Sequence, residues 1–77
     1  MNAIEVMRDV ITSEQLTPSD ASRKMEHKPS YLGTIFSGAK RGQKAIKTDT
    51  LAQFCEALNY ELLIRSKDDG TEFVIDE

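Results

Sequence analysis

Apolar residues recur near the start of the chain at the spacing of a helix face. Ile4, Met7, Val10 and Ile11 fall on one side, with Glu5, Arg8, Asp9 and Glu14 on the other. This pattern predicts an amphipathic helix over residues 3–14. The next apolar positions are sparser. Ala21 and Met25 lie four apart behind a strong start signal: Thr17 as N-cap, Pro18 at the first helical position and Asp20 three after the cap. Together they predict a short helix over 17–25, with Ser22 small enough to allow close approach by a neighbour and Leu16 plugging the core just before the cap. The first helix is expected to pack across this second one. Glu26-His27-Lys28 breaks the period. Pro29 then restarts a helix over 29–37, in which Leu32, Ile35 and Phe36 return at i, i+3, i+4 and Gly38 stands where a left-handed C-terminal residue belongs.

A fourth helix over 49–58 has the clearest pattern. Leu51, Phe54, Cys55 and Leu58 make its inner face, Ala52 fills a close contact, Thr48 or Asp49 caps it and Asn59 terminates it. After Asn59 the period shortens to about two. Tyr60, Leu62 and Ile64 alternate with Glu61, Leu63 and Arg65, and Asp69-Gly70 is a turn signal before Thr71–Ile75. A β-hairpin is therefore expected over 60–77, against the rival of a helix continuing through Leu63. Both hairpin faces carry apolar residues, so Leu62, Leu63, Ile64, Phe73, Val74 and Ile75 become candidates for a dimer contact. A two-stranded hairpin is marginal alone. The expected fold is mostly α, a bundle of four to five short helices over residues 1–59 with the hairpin as part of the same domain.

Charge sharpens this picture. The 77 residues carry a net charge of -3, which by itself argues mildly against a nucleic-acid partner. The distribution matters more than the sum. From Arg23 to Lys47 there are seven basic side chains and one acid, Glu26, whereas Thr48 to the end holds eight acids and two bases. The first helix has an acidic outer face and is not expected to meet DNA. The segment 39–47 concentrates Lys40, Arg41, Lys44 and Lys47 directly after the third helix. It is expected to be a surface loop, pinned by Ala45 and Ile46, that would run beside a sugar-phosphate backbone if the third helix entered a groove.

Little here points to catalysis. His27 is the only histidine and sits in a predicted turn, while Cys55 lies in an apolar run as a small buried hydrophobe. One Cys and one His far apart give no metal-ligand spacing. There is no Gly-rich phosphate loop and no nucleophile–histidine pairing, and Asp68-Asp69 suits a hairpin turn rather than an acid–base pair. No enzyme activity, cofactor or metal is expected. The longest apolar runs are too short for a signal peptide or membrane span, so a cytoplasmic location is expected.

Two helices of this size joined by a tight turn have the dimensions of a helix-turn-helix. The stretch 16–38 resembles that of the lambda-repressor-like (Cro/C1, XRE) family: Leu16-Thr17 opens the second helix, a small residue stands at Ser22, an apolar one at Met25, and the third helix packs through Leu32 and Ile35 and closes on Gly38. Asp49-Thr50-Leu51-Ala52 and Cys55-Glu56-Ala57-Leu58 resemble the family's fourth helix, so the likeness spans residues 3 to about 60. It departs in three places. Glu26 occupies the turn position usually held by Gly, Pro18 and Pro29 stand where Gln is frequent, and the connector 39–47 is longer than in many members. The hairpin lies outside the core motif, although several members carry an extension that pairs strands across a dimer.

The resemblance implies a sequence-specific double-stranded DNA-binding transcriptional regulator, a repressor acting as a homodimer on a palindromic operator. The third helix would enter the major groove with Ser30, Tyr31, Thr34 and Ser37 toward the bases. Thr17, Lys28, Lys40, Arg41, Lys44 and Lys47 would meet phosphates, assisted by helix N-terminal amides at 17–19 and 30–31. None of the four base-facing side chains makes a bidentate contact, so DNA shape would supply part of the specificity. The alternative is a protein-interaction module or antitoxin that engages a protein partner through its acidic C-terminal hairpin.

Overall fold

The computed structural model describes residues 1–43 and 45–76. The order of elements is α1 (Ala3–Ser13), α2 (Pro18–Lys24), α3 (Tyr31–Lys40), α4 (Thr48–Ala57), β1 (Leu62–Arg65) and β2 (Glu72–Ile75). This is a mostly helical bundle of four helices followed by a short antiparallel hairpin. No helix among the described residues is long and apolar enough to cross a membrane.

The core draws on every helix. Ile4, Met7 and Ile11 of α1, Ala21 of α2 and Met25 at its C-cap, Leu32 and Phe36 of α3, and Phe54 and Leu58 in and after α4 form one buried cluster. Each large side chain taken from water contributes about 1.5–3 kcal/mol. Ala52 is also buried, and Leu51 and Cys55 sit at the margin of the cluster. Burial pushes the Cys55 thiol above its ordinary value, because the low dielectric disfavours the thiolate. The first helix lies against α3 and shares its buried cluster with Ala21 of α2, and α2 lies against both α3 and α4.

All four helices stop the same way. The residue after the C-cap takes a positive φ at Gln15 (57°), Glu26 (62°), Gly42 (99°) and Asn59 (63°). In each case its N–H and the next one reach back to close the helix: Gln15 to Thr12 and Leu16 to Ile11, Glu26 to Arg23 and His27 to Ser22, Gly42 to Ala39 and Gln43 to Gly38, Asn59 to Glu56 and Tyr60 to Cys55. These paired bonds are Schellman motifs, which satisfy the last carbonyls of a helix. Only one of the four positions is a glycine.

Several boundaries differ from the sequence reading. α3 begins at Tyr31, not Pro29, because Pro29 and Ser30 form a turn closed by the Tyr31 N–H to the Lys28 carbonyl. It ends at Lys40, not Ser37. Gly42 provides the left-handed residue, and Gly38 is a buried helical position against which the Gln43 side chain folds. The expected loop therefore gives Ala39 and Lys40 to the helix. The fourth helix starts one residue early with Lys47 as its N-cap and no side-chain cap, so neither Thr48 nor Asp49 fills that role. The α2 start is as expected: Thr17 Oγ1 accepts from the Asp20 N–H (3.1 Å), and the Asp20 carboxylate accepts from the Thr17 N–H (3.2 Å). These hydrogen bonds, with smaller help from Arg23 and Lys24, hold the Asp20 carboxyl below its ordinary value.

The hairpin pairs Leu62 with Ile75, Leu63 with Val74, Ile64 with Phe73 and Arg65 with Glu72, which excludes helix continuation through Leu63. Asp69-Gly70 turns it as predicted, with Gly70 at φ 79° and the Asp69 carboxylate accepting from the Thr71 N–H at 2.9 Å. β1 rests against α4. Tyr60 ties the approach to β1 back to the end of α1 by donating from its hydroxyl to Glu14 at 3.2 Å.

Candidate nucleic-acid interface

Residues 18–40 hold two helices on a short connection, in which Glu26 and Lys28 are exposed and His27 is half-buried. Ser30, Thr34 and Ser37 are exposed along α3, as their spacing of three and four dictates. Ser30 is the N-cap residue, with helical backbone angles and no capping side-chain bond, so its hydroxyl is free of the helix. Thr34 Oγ1 donates to the Ser30 carbonyl at 3.0 Å, which leaves its oxygen lone pairs for an incoming donor. Tyr31 differs from these three. It is half-buried against the core, and its ring stacks on His27 with centroids 3.8 Å apart and planes 8° from parallel. Its ring is a wall of the turn rather than an outward probe.

The cations proposed from sequence fall into separate groups. Lys28 lies in the turn before α3, Lys40 and Arg41 at its end, and Lys47 at the α4 N-cap. All four are exposed, and among the described residues none forms an ion pair. Lys44 lies outside the described residues. Thr17 is exposed, but its backbone N–H and hydroxyl oxygen serve the capping box, and the Asp20 charge stands beside them. Of the α2 amides at 17–19, Pro18 has none and Thr17 is spent, so this end offers an anion little. Arg23 pairs with Asp20 at 3.4 Å.

The structure adds a residue that sequence reasoning left out. Arg8 projects from α1 across to α3, its guanidinium 5.3 Å from the centroid of the Phe36 ring. There it lines one groove with Thr12 of α1 and with Gly33, Ser37 and Lys40 of α3. Gly33 leaves the floor open, since a Cβ at this position would meet nothing within 4 Å. Two cations and two hydroxyls thus stand along a groove otherwise lined by the apolar Ile11, Leu16, Pro18 and Phe36, and Ser37 is the residue it shares with the Ser30–Thr34–Ser37 row. The acidic neighbours of Arg8 along α1 obscured it. The signal in the sequence is its register: Arg8 follows the buried Met7 and precedes the buried Ile11 by three, at the edge of the packed face.

Burial of the hairpin residues does not divide by face, since Ile64 and Phe73 share a face with Leu62 and Ile75. Leu62, Leu63 and Ile75 are half-buried, whereas Ile64 and Phe73, cross-strand neighbours, are 62% and 69% exposed and Val74 is 50% exposed. Comparisons with protein-family models, with curated proteins and with solved structures find no match.

Proposed function

We propose that this chain is a sequence-specific double-stranded DNA-binding transcriptional regulator of the lambda-repressor-like kind, acting as a homodimeric repressor on a palindromic operator. The observation that carries the reading is the α3 surface. A row of exposed hydroxyls at Ser30, Thr34 and Ser37 is flanked at both ends by cations that form no ion pair among the described residues, Lys28 before the helix and Arg8, Lys40 and Arg41 toward its far end. Such hydroxyls hydrogen-bond base edges, Ser30 and Ser37 as donor or acceptor and Thr34 as acceptor, and cations on either side suit the two phosphate strands that border a major groove. The pairing of chains is supported by the hairpin, whose exposed Ile64 and Phe73 are costly to leave in water and whose free strand edges are open to pairing with another strand.

Selection of bound duplexes from a random pool, with the mass of the complex measured alongside, tests this reading. A palindromic motif occupied by two chains is the expected result. Binding to random duplex DNA should fall roughly 100-fold between 50 and 200 mM salt if about four phosphates are neutralised. Absence of binding at low salt refutes the proposal. The exposed Ile64–Phe73 pair also favours a second reading, a protein-interaction module or antitoxin that holds a protein partner on the hairpin. DNA binding that survives Ile64→Ser/Phe73→Ser with loss of the two-chain complex separates dimerisation from that alternative.

A further inference from the structure

Among the described residues Ser22 is the one buried polar side chain, at 0% exposure, and four hydrogen bonds tie it to its surroundings. Its Oγ donates to the Pro18 carbonyl at 2.8 Å and accepts from the Leu32 N–H at 3.0 Å. Its own carbonyl accepts from the Met25 N–H at 3.1 Å and the His27 N–H at 3.0 Å. One residue therefore bonds to the first turn of α2, the end of α2, the connecting turn and the start of α3.

The Leu32 bond fills a specific gap. The opening amides of a helix need partners from outside it, and the usual source is the N-cap side chain, whose extended backbone lets its oxygen reach forward. Ser30 cannot do this, because its backbone is helical (φ −84°, ψ −2°) and its side chain makes no cap bond. Leu32 is buried and its N–H has no water to turn to. Ser22 provides the missing oxygen from ten residues earlier.

We propose that Ser22 is the positioning residue of α3, capping that helix from α2 and fixing how its first turn sits. Ser30, Tyr31 and Thr34 ride on this turn, so the inference rests on the DNA-binding reading and deepens it: Ser22 governs discrimination between sequences without touching DNA. Removing its oxygen loosens the turn that presents Ser30 and Thr34, while the phosphate-facing cations at the other end of α3 keep their places.

The test is amide exchange by NMR on Ser22→Ala and Ser22→Cys, the second retaining bulk with a poor acceptor, beside affinities for the selected and a random duplex. Exchange at Leu32 should quicken roughly tenfold relative to Phe36 and Ala39 in the same helix. The preference for the selected duplex should fall several-fold, with random-duplex affinity unchanged. Unchanged Leu32 exchange overturns the proposal, as does exchange that quickens along all of α3, or an altered first turn with unaltered preference. If the wild-type protein prefers no duplex, the DNA reading fails and the exchange pattern alone decides whether Ser22 caps α3.

Discussion

Glu26 holds the position between α2 and the turn at φ 62°, where an L-residue crowds its own Cβ against the backbone. That conformation costs about 1–2 kcal/mol per residue relative to the right-handed region. Its side chain is exposed and, among the described residues, makes no hydrogen bond or ion pair, so nothing local offsets the cost. Glycine removes the strain but adds freedom to the unfolded chain worth about 0.5–1 kcal/mol. Glu26→Gly should therefore stabilise by about 0.5–1 kcal/mol, and the same argument applies to Gln15→Gly at φ 57°. The two sites end different helices, so the double variant should gain about 1–2 kcal/mol, with each kcal/mol raising the melting temperature of a domain this size by about 4–8 °C. Thermal melts followed by circular dichroism, checked by urea titration, measure it. Glu26→Gln controls for the lost charge, and Gly42→Ala, at φ 99°, should destabilise. Equal stability of Glu26→Gly and Glu26→Gln, or a neutral Gly42→Ala, would refute the argument.

Arg8→Ala and Lys40→Ala should each weaken binding on selected and random duplexes alike and lower the salt slope by about one; unchanged slopes in fluorescence anisotropy remove both residues from the interface. Gly33→Ala should raise stability by at most about 1 kcal/mol, since its methyl enters open space in the first turn of α3, yet reduce DNA affinity by narrowing the groove that Arg8 and Lys40 line. The Asp20 carboxyl is held below its ordinary 3.8, so its stabilising effect is present above that value and disappears as pH falls through the lower folded value. Asp20→Asn should accordingly be less stable at neutral pH and lose less stability than wild type on acidification, measured by urea midpoints across that window.

Much of the fold is legible along the chain because it depends on bonds between near neighbours. The inner faces of the first and fourth helices, the Thr17–Asp20 capping box, Asn59 as a terminator and the Asp69-Gly70 turn all follow from residue types three or four positions apart. The end of α3 does not. Gly38 and Gly42 are equally able to take a positive φ, and what separates them is packing: Gly38 lies where the Gln43 side chain folds back over the helix, while Gly42 is open and exposed. The start of α3 was obscured for a related reason, since Pro29 suits a first helical turn locally but Ser30 already belongs to the turn.

By itself the sequence determined the order of the four helices, the basic block from Arg23 to Lys47 and the hydroxyl spacing of α3, and it favoured a hairpin after them that the strand pairing then established. These are local quantities, written into helix and strand periods and into caps. Only the tertiary structure decided which distant residues meet. It carried Arg8 from an acidic helix to the side of Ser37 and Lys40, and it brought the Ser22 oxygen to the Leu32 amide across the turn. It also left Ile64 and Phe73 in water. Such meetings depend on how two faces pack, and a helical period gives a face its direction but not its neighbour.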